Sequence, residues 1–193
     1  TLGDTNWVYR YNGPGNDFDR AYDLVYGGDG NIYAAGYSTG SGSGFDVTII
    51  SLTTLGDTNW VRRVNGPGNG EDEVRSIIYG PDGYVYVAGS ITNNSNNTDF
   101  AIAKYTTMGS ILWARVYDGP GDDLDYAHEL IYGSNGDIYA AGYTTGIGTY
   151  YDFTVMSLTT DGDTNWIYRY DGSGSDFDFD IARCIVYGAD DNL

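Results

Sequence analysis

The chain has 193 residues, including 29 Gly and 20 Tyr, with 41% hydrophobic content and a formal net charge of −18. That apolar and aromatic share supports a packed core and weighs against global disorder. The charge, with arginines set singly apart from Arg62-Arg63, argues against nucleic acid as a partner, and no run of 18 apolar residues is present to cross a membrane.

The element that organises the chain is its first. Thr-Leu-Gly-Asp-Thr-Asn-Trp at 1–7 returns at 54–60 and, with Asp161 for Leu, at 160–166; 107–113 is a degenerate copy. Trp7, Trp60, Trp113 and Trp166 lie 53 residues apart, the mark of a repeat array. Each unit reads as four strands, a to d. In the first unit, a (23–27) ends at Gly28-Asp29-Gly30, and b (31–39) follows. The Asp-Gly pair predicts a type I′ hairpin turn. A loose segment (40–44) leads to c (46–53), and Gly56-Asp57 turns the chain into d (59–64). Later copies of a fall at 76–80 and 129–133, of b at 84–92 and 137–145, and of c at 99–106 and 152–159.

Four antiparallel strands in each unit of about 50 residues predict an all-β fold, a β-propeller of four-stranded blades. Strand b supports it. Ile32, Ala34 and Gly36 point one way and Tyr33, Ala35 and Tyr37 the other, so both faces are apolar, as in blades stacked face to face. The expected domain is one array: a single strand d at 5–12, blades at 23–65, 76–118 and 129–171, and a single strand a at 181–188. The chain opens in mid-repeat, which suggests either a window on a longer array or strands completed by another chain. Unpaired strand edges invite such pairing.

The run Asp-Gly-Asn-Ile-Tyr-Ala-Ala-Gly-Tyr (29–37), then Asp-Val-Thr-Ile-Ile-Ser-Leu (46–52), then a Gly turn into Trp60, resembles the bacterial SBBP-type β-propeller repeat. Asp99-Phe100-Ala101-Ile102-Ala103-Lys104-Tyr105 is the copy most like that family's middle element. The resemblance covers essentially the whole chain. It implies a secreted or surface-exposed, usually non-catalytic module.

The b–c and d–a loops share one end of the blades, and they differ most between repeats. The d–a loops are acidic. Asp17 and Asp19, Asp123 and Asp125, and Asp176 and Asp178 are candidate Ca²⁺ ligands, though their spacing is not that of an EF-hand. The competing reading is that these carboxylates bind backbone N–H groups in tight turns. Asn93 and Asn96 open two glycosylation sequons on one b–c loop. The four tryptophans are expected to be structural repeat core. His128, the only histidine, stands where Tyr22, Arg75 and Arg183 stand in the other repeats, which suggests a rim or channel contact. Cys184 lies in an apolar run and is expected to be buried.

These features favour a non-enzymatic extracellular or cell-surface scaffold or interaction module. Its partners would be further copies or neighbouring repeats, joined through open strand edges into a fibre or sheath. The alternative is a glycan- or calcium-binding module that uses the variable loop face, with Ca²⁺ the one cofactor considered. More remote is a quinone-type dehydrogenase propeller, which Gly-Asp-Thr-Asn-Trp brings to mind.

Overall fold

The computed structural model describes residues 4–172, 179–188, 190 and 192–193. Twelve strands form three four-stranded antiparallel sheets. Blade 1 holds β1 (Asp19–Tyr26), β2 (Asn31–Thr39), β3 (Phe45–Thr53) and β4 (Thr58–Val64). Blade 2 holds β5 (Glu73–Tyr79), β6 (Val85–Thr92), β7 (Thr98–Tyr105) and β8 (Ile111–Tyr117). Blade 3 holds β9 (Tyr126–Tyr132), β10 (Ile138–Thr145), β11 (Tyr151–Leu158) and β12 (Thr164–Tyr170). In each blade the strands pair in chain order, the expected meander.

The core lies between blades. Tyr33, Ala35, Ile49 and Trp60 of blade 1 meet Ile77 and Val87 of blade 2. One period on, Tyr86, Ala88, Ile102 and Phe100 meet Leu130 and Ala140 of blade 3. Small residues on one face of strand b receive large ones from the next blade, which is why b is apolar on both sides. The aromatic rungs repeat too: Tyr33 stacks on Tyr79 at 6.0 Å and Tyr86 meets Tyr132 edge-on at 6.2 Å.

Three expectations need correction. Strand a begins three or four residues earlier than its apolar run, because a β-bulge interrupts the alternation that would have revealed it. The bulged residues are Tyr22, Arg75 and His128. Each bulge drives a carbonyl against strand b, and there only glycine fits: a Cβ on Gly36 would lie 1.9 Å from Arg20 O. The a–b turn is not type I′. Gly27 O accepts the Gly30 N–H, and within this turn only Gly30 has positive φ (83°), the pattern of a type I turn followed by a left-handed glycine. Asp29 Oδ1 caps it by accepting from Asn31 N–H at 3.2 Å.

The segments 5–12 and 181–188 flank the three sheets singly, and Ala182 N–H donates to Gly142 O at 3.1 Å. They lie against blades 1 and 3 as extended chain. Cys184 is exposed rather than buried. In its run only Ala182 and Ile185 are buried, packed on blade 3.

Candidate functional site

The b–c and d–a loops meet at one end of the blades. Gly44 N–H donates to Asn69 O, and Asp72 N–H to Phe45 O. Asp125 N–H donates to Thr98 O, and Asn97 Nδ2 to Asp122 O.

In these loops one aspartate per repeat does the same work. Asp19 accepts from Gly13 N–H at 3.1 Å. Asp72 accepts from Gly66 N–H (2.5 Å) and Thr92 N–H (2.6 Å). Asp125 accepts from Gly119 N–H and from Thr145 N–H (2.7 Å). Asp180 accepts from Gly172 N–H at 2.6 Å. The carboxylate fastens the start of the d–a loop, and in blades 2 and 3 it also holds the end of strand b. Asp19 and Asp125 are therefore loop clamps, while Asp17 and Asp123 face solvent. Asp176 and Asp178 lie outside the described residues.

Asp125 has two carboxylate neighbours, whose repeat equivalents beside Asp180 are Asp152 and Asp171. Carboxylate oxygens of Asp99, Asp118 and Asp125 all lie within 4.8 Å of one another. That span is about twice a Ca²⁺–oxygen bond, so one ion reaches all three. Asp99 and Asp125 are buried and Asp118 is exposed. In blade 1 the residue equivalent to Asp99 is Asp46, and it is paired with Arg63 at 2.5 Å. In blade 3 Asp152 is raised by burial and by the charge of Asp171, and the positive charge of Arg169 opposes this. Blade 2 has Val116 at that position, and Asn93 replaces Gly40 and Gly146. Asn93 Nδ2 donates to Asp99 at 2.8 Å, so a neutral amide stands in for the guanidinium and the negative charge goes uncompensated.

The pKa values follow. Burial is the main cause that raises Asp125, to about 7; its two backbone N–H bonds oppose this, and the charges of Asp118 and Asp99 add to it. Asp99 is raised by burial, eased by Asn93 and raised further by Asp118 and Asp122. Asp118 is raised by burial and by Asp122. Sequence reading placed Asp125 in a site but missed Asp99 and Asp118. The signal was there: in register, the repeats read Arg63, Val116, Arg169 against Gly40, Asn93, Gly146.

The sequons separate in the structure. The Asn93 side chain is committed, donating to Asp99 and accepting from Ser95 and Asn97 N–H. Asn96 is exposed, with φ of 67°. Of the two, Asn96 offers the open amide.

His128 is the bulged residue of β9 and sits 5.6 Å from the Tyr143 ring. Burial first, then Arg75 and Arg183, lowers its pKa to about 4, so it is neutral at physiological pH. The bulge positions form a row along the inner strands, with the Arg75 guanidinium 4.1 Å from the Tyr22 ring centroid. Inter-blade contact runs through strand a, as β1·β5 and β5·β9.

The tryptophans latch one blade to the next. Trp7 Nε1 donates to Thr54 O, Trp60 to Thr107 O and Trp113 to Thr160 O, at 2.8–3.0 Å. Each ring covers the turn glycine, so a Cβ on Gly56, Gly109 or Gly162 would meet it at 2.8 Å. Arg62 and Arg115 add bonds to Gly109 O and Gly162 O. The expectation that all four tryptophans are core needs correction. Trp60 is buried and Trp113 partly so, but Trp7 is 37% and Trp166 42% exposed. Burial depends on a blade on each side, and Trp166 has no turn beneath it among the described residues.

Residues 80–111 match the family model described as "Domain of unknown function (DUF5122) beta-propeller". That stretch covers the a–b turn, β6 and β7 of blade 2. A comparison with curated proteins gives no match. Among solved structures, the chain is similar to a protein of unknown function from Bacteroides caccae, at 12% identity over 79% of this chain with a TM-score of 0.49. The chain spans 47% of that protein's length. With three four-stranded antiparallel sheets in meander order and a propeller-family match within the second, the chain is a β-propeller repeat protein.

Proposed function

We propose that this chain is a non-enzymatic scaffold or interaction module of the extracellular or cell-surface kind. The observation that supports it is the loop clamp. Asp19, Asp72, Asp125 and Asp180 hold equivalent backbone groups in successive repeats. The residue type that looked most chemical is thereby used for building, and variation is left to the adjoining loops at 40–44, 93–97 and 146–150. The SBBP-type resemblance supports an exported location. Labelling intact source cells with an antibody tests it: staining without permeabilisation is expected, and staining only after permeabilisation contradicts the reading.

A second reading is favoured by one observation, the Asp99–Asp118–Asp125 cluster in the blade without the arginine. There the scaffold binds a hard divalent cation on its loop face. Titration calorimetry of CaCl₂ into EDTA-stripped protein is expected to give one site, lost in Asp118→Asn. Absence of binding heat at millimolar CaCl₂ removes this reading and leaves the scaffold untouched.

A further inference from the structure

The outermost strand of blade 2 is built unlike those of its neighbours. Among the described residues β8 pairs only with β7, so its outer edge presents unpaired backbone groups. On it Ile111, Leu112 and Val116 are 54%, 50% and 53% exposed. The same positions read Thr58, Asn59 and Arg63 in β4, and Thr164, Asn165 and Arg169 in β12. Blade 2 has a blade packed on each side, so flanking sequence has no bearing on this exposure.

Two of these differences remove what keeps an edge solitary. A charged side chain on an edge strand discourages pairing. Arg62 and its equivalent Arg115 are both committed to turn carbonyls of the next blade. Arg63 in β4 and Arg169 in β12 add a further charge, and β8 has Val116 in that place. Asn59 and Asn165 turn inward to Ser51 and Ser157, each at 3.2 Å. Blade 2 has Lys104 at the serine position and Leu112 at the asparagine position, so an exposed apolar side chain replaces a polar link.

The backbone of a free edge selects an extended strand as its occupant, and the side chains select which strand. Set antiparallel to a second β8 about Ala114, the strand complements itself. Trp113 meets the partner's Arg115, an aromatic–cation pair, and exposed Leu112 comes beside the partner's Val116. The charges match as well. Asp118 follows the strand, and this register carries it to the partner's Ser110. Next to Ser110 is Gly109, whose carbonyl holds Arg62 at 2.7 Å. A crevice of 260 Å³ lined by Arg62, Val64, Tyr105 and Ile111 opens there. The same alignment of β4 about Val61, or of β12 about Ile167, sets an arginine against an asparagine instead.

We infer that two copies of this chain pair antiparallel through β8 about a two-fold axis, joining their blade 2 sheets into one continuous sheet. The contact is isologous, with the same edge serving in both copies, so it closes at two. Main-chain hydrogen bonds supply the ladder, and burial of Ile111, Leu112 and Val116 supplies the apolar contribution. The net charge of −18 on each copy opposes association, and salt screens that repulsion.

This proposal deepens the interaction-module reading on which it rests, and the experiment separates the two. Sedimentation equilibrium of the full chain in about 0.5 M NaCl is expected to give twice the 21.0 kDa of one chain. Reductant is included because Cys184 is exposed. Val116→Arg, which restores the residue of the other two repeats, is expected to weaken the dimer about thirtyfold, since each substitution counts twice in a two-fold contact. Its urea midpoint should not fall, because the new guanidinium stands to Asp99 as Arg63 stands to Asp46. Leu112→Asn is expected to weaken the dimer about tenfold. Ile147→Asn, at a loop residue 82% exposed, is expected to leave it unchanged. A monomer at every concentration, open-ended polymers, a dimer indifferent to Val116→Arg, or an equal loss in Ile147→Asn overturns the inference. Each of those results leaves a non-enzymatic, exported module standing, whereas failed surface labelling removes that reading and not the dimer.

Discussion

Ile77 and Leu24 occupy the same place in the repeat and live in opposite surroundings. Ile77 is 2% exposed between blades 1 and 2, and Leu24 is 67% exposed on the outer face of blade 1. Trp60 and Trp166 form the same contrast at the other side of a blade, at 9% and 42%. The difference teaches that a propeller repeat does not own its core. Each blade supplies half of two interfaces, and the neighbour decides whether that half is core or surface.

The strongest way to break this comparison is to truncate both tryptophans. Trp60→Ala is expected to cost about 3–5 kcal/mol in urea unfolding, the range for a buried aromatic. Trp166→Ala, measured at high dilution, is expected to stay within about 0.5 kcal/mol of the parent. Equal losses would mean that exposure does not separate the two positions.

A second test uses the glycines beneath the rings. Gly109 and Gly136 both have positive φ, at 77° and 87°. A Cβ on Gly109 meets the Trp60 ring at 2.8 Å, and one on Gly136 meets nothing within 4 Å. Gly136→Ala is expected to cost about 1–2 kcal/mol from the left-handed backbone alone. Gly109→Ala is expected to cost about 1–3 kcal/mol more, from the displaced ring. Equal costs would show that the latch tolerates a shift.

The smaller effect compares the loop ends of blades 1 and 2. The Asp125 carboxyl sits at about 7 in the fold against 3.8 ordinarily. A raised acid favours the protonated folded state. Its contribution is complete below about pH 4 and is lost as pH rises through 7. Stability at low salt should therefore fall by about 1–2 kcal/mol across that window. Val116→Arg, which restores to blade 2 the arginine of blade 1, is expected to flatten the fall. Asp118→Asn should flatten it less. A parent curve that rises from pH 4 to 7 at this site would contradict the assignment.

Much of the architecture was legible because it repeats. The 53-residue spacing of the tryptophans gives the blades, and the two apolar faces of strand b give the stacking. The start of strand a was hidden, since the bulges at Tyr22, Arg75 and His128 break the alternation that announces a strand. The turn type was misread because Asp29 helps by capping with its side chain, not by adopting positive φ. The acidic loops pointed to the end of the blades where Asp99, Asp118 and Asp125 converge, but of these three they named only Asp125. Asp99 lies in a strand and Asp118 just after one, far in sequence from the loop residue Asp125, and only the folded blade brings them together. Exposure of Trp7, Trp166 and Cys184 was beyond a local reading, because it depends on which neighbours lie alongside.

Exchange of the four indole N–H protons tests the central claim, that inner junctions and outer faces are one surface in two states. In dilute solution Trp60 and Trp113 are expected to exchange slowly, Trp7 faster and Trp166 fastest. Protection of Trp166 equal to that of Trp60 would contradict it.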